Sequence, residues 1–184
     1  MIISKPKLLL HFCCGPCGPE MSDALEREFD IVAYWYNPNI YPEEEYFKRL
    51  EAFKIFCSNK KYEILYGDGL NTNSFFERSK KHAESKEKRC RFCYTERMKN
   101  AARFAARQEI PFFTTTLLSS FYQDTNFIKS LGERLSDEYN ISFVFREFWH
   151  SYYQSKNKAR ELGLYIQKYC GCCGSMSERK KGKK

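Results

Sequence analysis

Short apolar segments alternate along the sequence with longer segments that have the spacing or the start signals of helices. The short segments have the length and composition of buried strands and lie at 7–13, 30–36, 62–66, 111–116 and 141–145. The longer segments predict helices at 19–29, 42–57, 90–108, 124–139 and 152–162. Turn residues such as Asn37-Pro38 and Gly67-Asp68-Gly69 separate them.

This alternation predicts an α/β fold in three layers, in which a mainly parallel sheet has helices on both faces. We expect one α/β catalytic domain over residues 1–177. The remaining segment, 178–184, consists almost entirely of charged residues and glycine, which predicts a basic, disordered tail. Ligand sites of parallel sheets lie beyond the carboxyl ends of the strands.

Composition and charge add a possible partner. The chain has 184 residues, of which 42% are hydrophobic, and its 31 Lys and Arg against 23 Asp and Glu give a formal net charge of +8. Such an excess suits a polyanion such as nucleic acid, although it could equally serve solubility. Because no segment approaches the ~18–20 apolar residues of a membrane span and no signal segment is recognisable, we expect a cytoplasmic protein without a membrane partner.

The cysteines point to chemistry, because eight of the nine fall into three tight groups. The groups are Cys13-Cys14-Gly15-Pro16-Cys17, Cys90-Arg91-Phe92-Cys93 and Cys170-Gly171-Cys172-Cys173. In a reducing compartment, grouped cysteines indicate metal ligands or redox chemistry rather than structural disulfides. Cys57 stands alone on an apolar helical face, and we expect it in the core.

The first two groups lie at the starts of predicted helices, where the helix dipole favours thiolates. Cys90 and Cys93 are three residues apart and therefore share one helix face. Thiolates from two such helix starts can reach one metal centre, and four of them suit either zinc or a [4Fe–4S] cluster. Zinc ribbons place their cysteine pairs about 15–20 residues apart, so the long separation of Cys17 from Cys90 favours the cluster.

Two other interpretations stay open. Cys14-Gly15-Pro16-Cys17 has the spacing of a thioredoxin-like thiol–disulfide oxidoreductase, although such a protein would leave the other cysteine groups unexplained. A zinc-stabilised RNA-binding module without catalysis is the second alternative.

Three further features are candidates for function. The third group could close a strained, redox-active disulfide or supply ligands to a second metal. Asp68 follows the third predicted strand and is a candidate oxygen ligand or proton donor. The aromatic run 148–153 is flanked by Arg146, Lys156, Lys158 and Arg160, a pattern that suits stacking on unpaired bases beside phosphates, although it also fits core aromatics beside a solvated face.

Taken together, the cysteine motifs resemble the QueH family, the cobalamin-independent epoxyqueuosine reductases. The resemblance rests on His11-Phe12-Cys13-Cys14-Gly15-Pro16-Cys17, on the second cysteine group and on the segment 164–172 that ends in Cys170-Gly171-Cys172. The segment 114–124 is similar too, and the match extends in order over nearly the whole chain.

The resemblance implies a two-electron reduction of the epoxide of epoxyqueuosine to the alkene of queuosine at the wobble position of tRNA. It implies a HUP-like fold, similar to that of tRNA-thiolation enzymes, with the tRNA anticodon loop and an unidentified electron donor as partners.

The resemblance also implies a set of site residues. The set comprises a [4Fe–4S] cluster on Cys13, Cys14, Cys90 and Cys93, a redox-active pair at Cys170 and Cys172, and an additional mononuclear iron near Cys17 and Asp68. Cys173 extends the terminal motif and leaves open which pair would form a disulfide.

Overall fold

Five parallel strands form one sheet at the centre of the computed structural model, which describes residues 4–67 and 71–181. The strands are β1 (Lys7–His11), β2 (Asp30–Trp35), β3 (Glu63–Tyr66), β4 (Phe112–Thr115) and β5 (Ser142–Phe143). Their order across the sheet is β3-β2-β1-β4-β5, and each pairing is parallel. The prediction of a mainly parallel sheet is therefore confirmed.

Helices connect the strands and extend beyond the last one. They are α1 (Pro19–Leu25), α2 (Glu43–Lys60), α3 (Thr72–Lys80), α4 (Lys86–Arg107), α5 (Thr125–Tyr139), α6 (Tyr152–Glu161) and α7 (Cys173–Lys181). Short 3₁₀ turns occur at Gly15–Cys17, Thr116–Ser119 and Trp149–Ser151. None of the helices in the described ranges combines the length and apolar character needed to cross a bilayer.

The strand order explains the layers. The chain first moves from β1 through β2 to β3 on one side and then returns to β4 and β5 on the other. Because such crossovers are right-handed, α1 and α2 lie on one face of the sheet, and α4 and α5 lie on the opposite face. Helix α6 packs against α1, and α4 packs against α5. The three-layer α/β arrangement is confirmed.

The middle strand is fully buried because helices cover both of its faces. Leu8, Leu9 and Leu10 are all inaccessible to solvent, so β1 is continuously apolar rather than alternating. Helix α2 contributes large side chains such as Phe53 to the core, whereas α4 buries three alanines, Ala101, Ala102 and Ala105, together with larger residues nearer its start. Cys57 is buried in this core, as predicted.

Some boundaries differ from the prediction. Strand β1 ends at His11, two residues early, because the first cysteine group turns away from the sheet. Helix α4 begins at Lys86 rather than Cys90, since the Ser85 side chain caps it by accepting a hydrogen bond from the Lys88 N–H. Helix α3 was not predicted because its sequence is mostly polar; an Asn71 cap starts it.

The C-terminal segment contains a helix that the sequence did not predict. Helix α7 extends to Lys181, and the assignment of the segment 178–184 as a basic tail stays a prediction. Glu178 pairs with Arg89 of α4, which gives this end of the chain a fixed contact. The boundary of the catalytic domain at residue 177 stays a prediction.

Two phenylalanines of α2 provide a matched test of this core. Phe53 is fully buried, with ring centroids 5.1 Å from Phe12 and 4.9 Å from Trp35, whereas Phe47 is 56% exposed. We expect Phe53→Ala to lower the free energy of unfolding by about 3–5 kcal/mol through the cavity it leaves. Phe47→Ala, with the same change in helix propensity, should cost about 0.5 kcal/mol or less. Urea unfolding of both variants measures the difference, and similar losses would contradict the described packing.

Candidate metal centre

The first cysteine group lies between β1 and β4, where the order of strands reverses: β2 and β3 are added on one side of β1, and β4 and β5 on the other. Cys13, Cys14 and Cys17 follow β1, and Thr116 follows the neighbouring strand β4. The Cys13 N–H donates to Thr116 Oγ1 at 2.9 Å and so fixes the two strand ends to each other. Ligand sites of open parallel sheets occur at this kind of reversal.

A close approach of two backbones shapes the turn that carries these thiols. Gly15 begins the 3₁₀ turn, and a Cβ atom there would lie 2.9 Å from the backbone carbonyl of Ala52 in α2. Only glycine allows that contact without moving the helix. The turn therefore holds Cys14 and Cys17 in the wall of the protein instead of on a mobile loop; both are buried.

The three sulfur atoms lie within 4.8 Å of one another and could hold a metal ion. Cys13 Sγ is 3.7 Å from Cys14 Sγ, which is 2.8 Å from Cys17 Sγ. Two neutral donors reach them: Thr116 Oγ1 donates to Cys13 Sγ at 3.2 Å, and Gln167 Nε2 donates to Cys14 Sγ at 2.9 Å.

One cavity of about 390 Å³ brings the three cysteine groups together. Its lining includes the cysteines Cys13, Cys14, Cys17, Cys90, Cys170 and Cys172. A smaller cavity of about 30 Å³ is lined by Cys90, Cys93, Cys170, Cys172 and Cys173. Three segments that are far apart in the sequence thus supply thiols to these two cavities. The sequence predicts such convergence for cysteine groups that share one metal centre.

Helix α4 brings a buried cation to this region. Cys90 and Cys93 lie in its first two turns, and Arg97 follows one turn later, fully buried. Arg97 Nη1 lies 3.8 Å from Cys93 Sγ, and Nη2 donates to Asn37 Oδ1 at 2.7 Å. Although burial opposes the charge, the nearby sulfur atoms of Cys93 and Cys13 raise the pKa of Arg97, which therefore stays charged.

The thiols differ strongly in acidity. Hydrogen bonds from Cys14 and Cys17 hold the pKa of Cys13 well below its usual range, and Arg97 and Thr116 lower it further. Burial raises the pKa of Cys14, and hydrogen bonds to the other two thiols raise that of Cys17. Cys13 is therefore the most acidic thiol of this group.

The thiols of the other two groups are less acidic than usual. Burial raises the pKa of Cys93 to about 12, and it raises that of Cys170 to about 11 with a further contribution from Cys172. Burial also raises the pKa of Cys90, although Arg89 opposes it. A metal ion that binds these thiols would lower their pKa values and favour the thiolate form.

A second buried cation fixes the terminal cysteine group. Arg49 of α2 pairs with Glu45 at 2.8 Å, and both are buried. Its Nη1 and Nη2 atoms donate to the carbonyls of Cys170 and Tyr169, each at 2.9 Å. Gly171 continues this segment at φ 136°, a conformation that favours glycine. The segment is therefore anchored to the helix that also packs on Gly15.

The chemistry of the cavity fits a thiolate-ligated metal group. Several thiols converge there, and a permanent positive charge offsets their negative charge when they ionise. Three buried polar atoms that line it lack a hydrogen-bond partner among the described residues: Arg89 Nε, Arg97 Nε and Gln167 Oε1. Unpaired buried polar atoms are costly in a closed protein interior and are suited to a polar occupant.

Only some of the predicted metal ligands lie within mutual bonding range of one metal ion among the described residues. Within the described residues, the mutual 4.8 Å grouping of Cys13, Cys14 and Cys17 does not extend to Cys90 or Cys93. Asp68 lies outside the described residues. The assignment of four cluster ligands and of the terminal redox pair stays a prediction.

The sequence indicates one non-cysteine residue of the site and misses the contacts of the others. Arg97 lies four residues after Cys93 and so on the same helix face, where its charge can partly offset that of a thiolate cluster. The contacts of Arg49, Gln167 and Thr116 were missed, because each reaches a cysteine residue from a distant part of the chain.

The fold and the site define a cysteine-rich α/β protein whose thiols could hold a metal at the carboxyl ends of parallel strands. The chain matches the family described as Epoxyqueuosine reductase QueH over residues 8–178 and belongs to that family.

Relatives named Epoxyqueuosine reductase QueH match along most of the chain. The protein from Dehalococcoides mccartyi is 31% identical over 95% of this chain and 94% of its own length. The Haemophilus influenzae protein is 33% identical over 95% of this chain and 74% of its own, and the Thermotoga maritima protein is 30% identical over 94% and 92%.

A solved structure supports the fold. It is described as a predicted subunit of a tRNA methyltransferase from Methanocaldococcus jannaschii, and the similarity covers 85% of this chain and 75% of that one. The TM-score is 0.55 at 13% sequence identity. The α/β fold class with a parallel sheet is confirmed by this similarity and by the strand order.

The anchoring role of Arg49 predicts a large effect on stability. Arg49→Met leaves the buried Glu45 carboxylate without its cation, with the Tyr165 hydroxyl still donating to Oε2, and should lower the free energy of unfolding by about 3–5 kcal/mol. Glu45→Gln added to Arg49→Met removes the unpaired charge and should restore part of that loss. Both variants lack the bonds to Tyr169 and Cys170, so limited proteolysis near residue 170 should be faster in both than in wild type. If the double variant is no more stable than Arg49→Met, the pairing argument is wrong.

The acidity of Cys13 predicts selective alkylation of the metal-free, reduced protein. At pH 7 we expect iodoacetamide to modify Cys13 faster than Cys170, because the pKa of Cys13 is lowered, that of Cys170 is raised to about 11, and the thiolate is the nucleophile. Between pH 7 and about 10 the rate at Cys170 should rise about tenfold per pH unit, while the rate at Cys13 changes less. Mass spectrometry of the peptides measures both rates.

Thr116→Val is the control for the alkylation experiment. It keeps the side-chain volume but removes the hydroxyl donor to Cys13 Sγ. The pKa of Cys13 should rise, and its alkylation at pH 7 should slow. Equal rates at Cys13 and Cys170 in the wild-type protein would contradict the proposed order of acidity.

Proposed function

We propose that this protein reduces epoxyqueuosine to queuosine at the wobble position of tRNA. The observation that carries the proposal is the cavity in which thiols from three distant segments meet beside the buried cation Arg97. Membership of the QueH family supports it, because the named relatives are epoxyqueuosine reductases.

The reaction balances as a two-electron reduction. The epoxide takes up two electrons and two protons, both C–O bonds break, and an alkene and one water molecule form. A dithiol that is oxidised to a disulfide supplies two electrons and two protons. We assign this role to Cys170 and Cys172, which line the cavity. An external electron donor then returns the disulfide to the dithiol.

The cofactor assignment follows the thiols. We assign a [4Fe–4S] cluster to Cys13, Cys14, Cys90 and Cys93, and an additional iron to the neighbourhood of Cys17, with Asp68 as the candidate oxygen ligand. Bound in this way, the metals would supply single-electron transfer and Lewis-acid activation of the epoxide oxygen.

The chain's own residues have separate tasks in this proposal. Arg97 balances the charge of the thiolates, and Gln167 holds Cys14 by its amide. Arg49 fixes the backbone of the redox pair at Cys170.

The substrate side follows from charge and accessibility. The net charge of +8 suits the phosphates of tRNA, and an anticodon-loop base is already unpaired, so exposing it costs less than opening a duplex. A tRNA substrate would place the protein in the cytoplasm.

The two alternatives fit the geometry less well. Cys14 Sγ and Cys17 Sγ are close enough to exchange electrons as a pair, but both residues are buried, and exchange with a protein disulfide needs an accessible thiol. A zinc-stabilised module uses its metal in place of a core, whereas this sheet has a large apolar core of its own.

The proposal predicts the metal content of protein purified without oxygen. We expect about four irons and four acid-labile sulfides per chain, with one extra iron if the second site is filled, and a broad visible absorption. This protein should convert epoxyqueuosine-containing tRNA to queuosine-containing tRNA when a reductant is present, which nucleoside mass spectrometry measures. One zinc without sulfide would overturn the cluster assignment, and turnover by colourless, metal-free protein would favour the thiol–disulfide alternative.

Three cysteine variants separate the assigned roles. Cys90→Ser should lose most of its iron and sulfide. Cys172→Ser should keep both but lose turnover by more than about tenfold, since no dithiol remains to be oxidised. Cys57→Ala, which removes the thiol buried in the core, should keep metal and turnover. Loss of metal in Cys172→Ser would instead make that residue a ligand.

A further inference from the structure

Four aromatic rings form a cluster on the surface of the protein. Phe121, Tyr122 and Tyr153 are 43%, 69% and 65% exposed. The Phe121 ring centroid lies 4.2 Å from that of Tyr122 and 4.9 Å from that of Tyr152, and Tyr152 lies 5.3 Å from Tyr153. We call Phe121, Tyr122, Tyr152 and Tyr153 the aromatic platform.

Two segments that end at the metal centre build the platform. Phe121 and Tyr122 follow the 3₁₀ turn Thr116–Ser119, which starts at the residue bonded to Cys13. Tyr152 and Tyr153 begin α6, whose Ser155 hydroxyl donates to the carbonyl of Pro16 within the first cysteine group. The platform is therefore held rigidly with respect to the thiols.

The platform continues into the cavity. Tyr122 and Tyr152 line the same cavity of about 390 Å³ as the thiols, whereas Phe121 and Tyr153 lie outside that lining. A flat molecule on the exposed rings would thus sit next to whatever occupies the cavity. This continuity is what separates the platform from an isolated hydrophobic surface patch.

The residues that line the cavity carry mostly positive charge, which favours a negatively charged ligand. Lysines Lys86, Lys156 and Lys168 line it, and the Lys156 Nζ atom lies 4.3 Å from the centroid of the Tyr152 ring. Glu178 is the acidic residue among the described lining, and it is paired with Arg89. Lys156 Nζ also donates to the Tyr152 hydroxyl, which holds this cation beside the ring. Exposed rings beside lysines suit a ligand with flat π-systems and negative charges.

We propose that the aromatic platform stacks unpaired nucleobases of the tRNA anticodon loop adjacent to the modified nucleotide, which enters the cavity. The proposal rests on the proposed function and adds the residues that would hold the RNA. Phe121, Tyr122 and Tyr153 supply stacking surfaces, and Lys156 contacts a phosphate. Double-stranded RNA would not bind in this way, since its bases are stacked on each other.

The experiment measures binding, separately from turnover. The probe is an anticodon stem-loop RNA with guanosine at the wobble position, and its competitor is the same RNA with the loop paired to a complementary strand. Fluorescence anisotropy on anaerobically purified protein gives the dissociation constant at several salt concentrations.

The variants distinguish stacking from charge. Tyr122→Ala and Tyr153→Ala should each weaken loop binding by roughly tenfold and leave the salt dependence unchanged. Tyr122→Phe should retain most of the affinity, because the ring stays. Lys156→Gln should weaken binding and reduce the slope of log affinity against log salt by about one. Phe47→Ala, which removes an equally exposed ring outside the platform, should bind the stem-loop like wild type.

The outcomes separate this inference from the proposed function. Wild-type affinity in both tyrosine-to-alanine variants, in a protein that turns over its tRNA substrate, would overturn the platform and leave the function standing. Equal weakening of loop and paired-loop RNA would also overturn it, since stacking requires unpaired bases. Platform-dependent loop binding without turnover would support the platform and count against the reductase.

Discussion

The buried cation Arg97 links the strand ends to α4, the helix that carries the second cysteine group. Its Nη2 donates to Asn37 Oδ1 at 2.7 Å, and Asn37 Nδ2 donates to the carbonyl of Phe12 at 2.8 Å, one residue before Cys13. Its Nη1 faces Cys93 Sγ at 3.8 Å. Because a buried guanidinium is costly without partners, this residue favours arrangements in which thiolates or another anionic group lie beside it.

Arg49 has the corresponding task for the terminal cysteines, but by different means. Its charge is already neutralised by Glu45, so its contribution is geometric: two parallel N–H donors hold two consecutive carbonyls of the segment that ends in Cys170. One buried arginine thus offsets charge while the other fixes position. Helix α2, which carries Arg49, also packs against Gly15, so the first and third cysteine groups share one rigid support.

The sequence predicted what depends on local periodicity. The continuous apolar run of β1 and the helical spacing of Tyr94, Met98 and the alanines in α4 are properties of neighbouring residues, and both elements lie close to their predicted positions. Helices α3 and α7 were missed because they are short and polar and are fixed by a cap or by an ion pair. The cysteine motifs indicated a shared centre, but the contacts of Arg49 and Gln167 join residues more than a hundred positions apart and have no local signature.

The candidate site lies beyond the carboxyl ends of parallel strands, where ligands of such sheets bind, and it is lined by thiols. Cys13 lies at this position. Its backbone N–H donates to Thr116, and the pKa of its thiol is lowered. The aromatic platform then adjoins the same edge through Thr116–Ser119 and α6. In the proposed complex, the modified nucleotide in the cavity and the neighbouring bases on the platform would therefore both be positioned from the same strand ends.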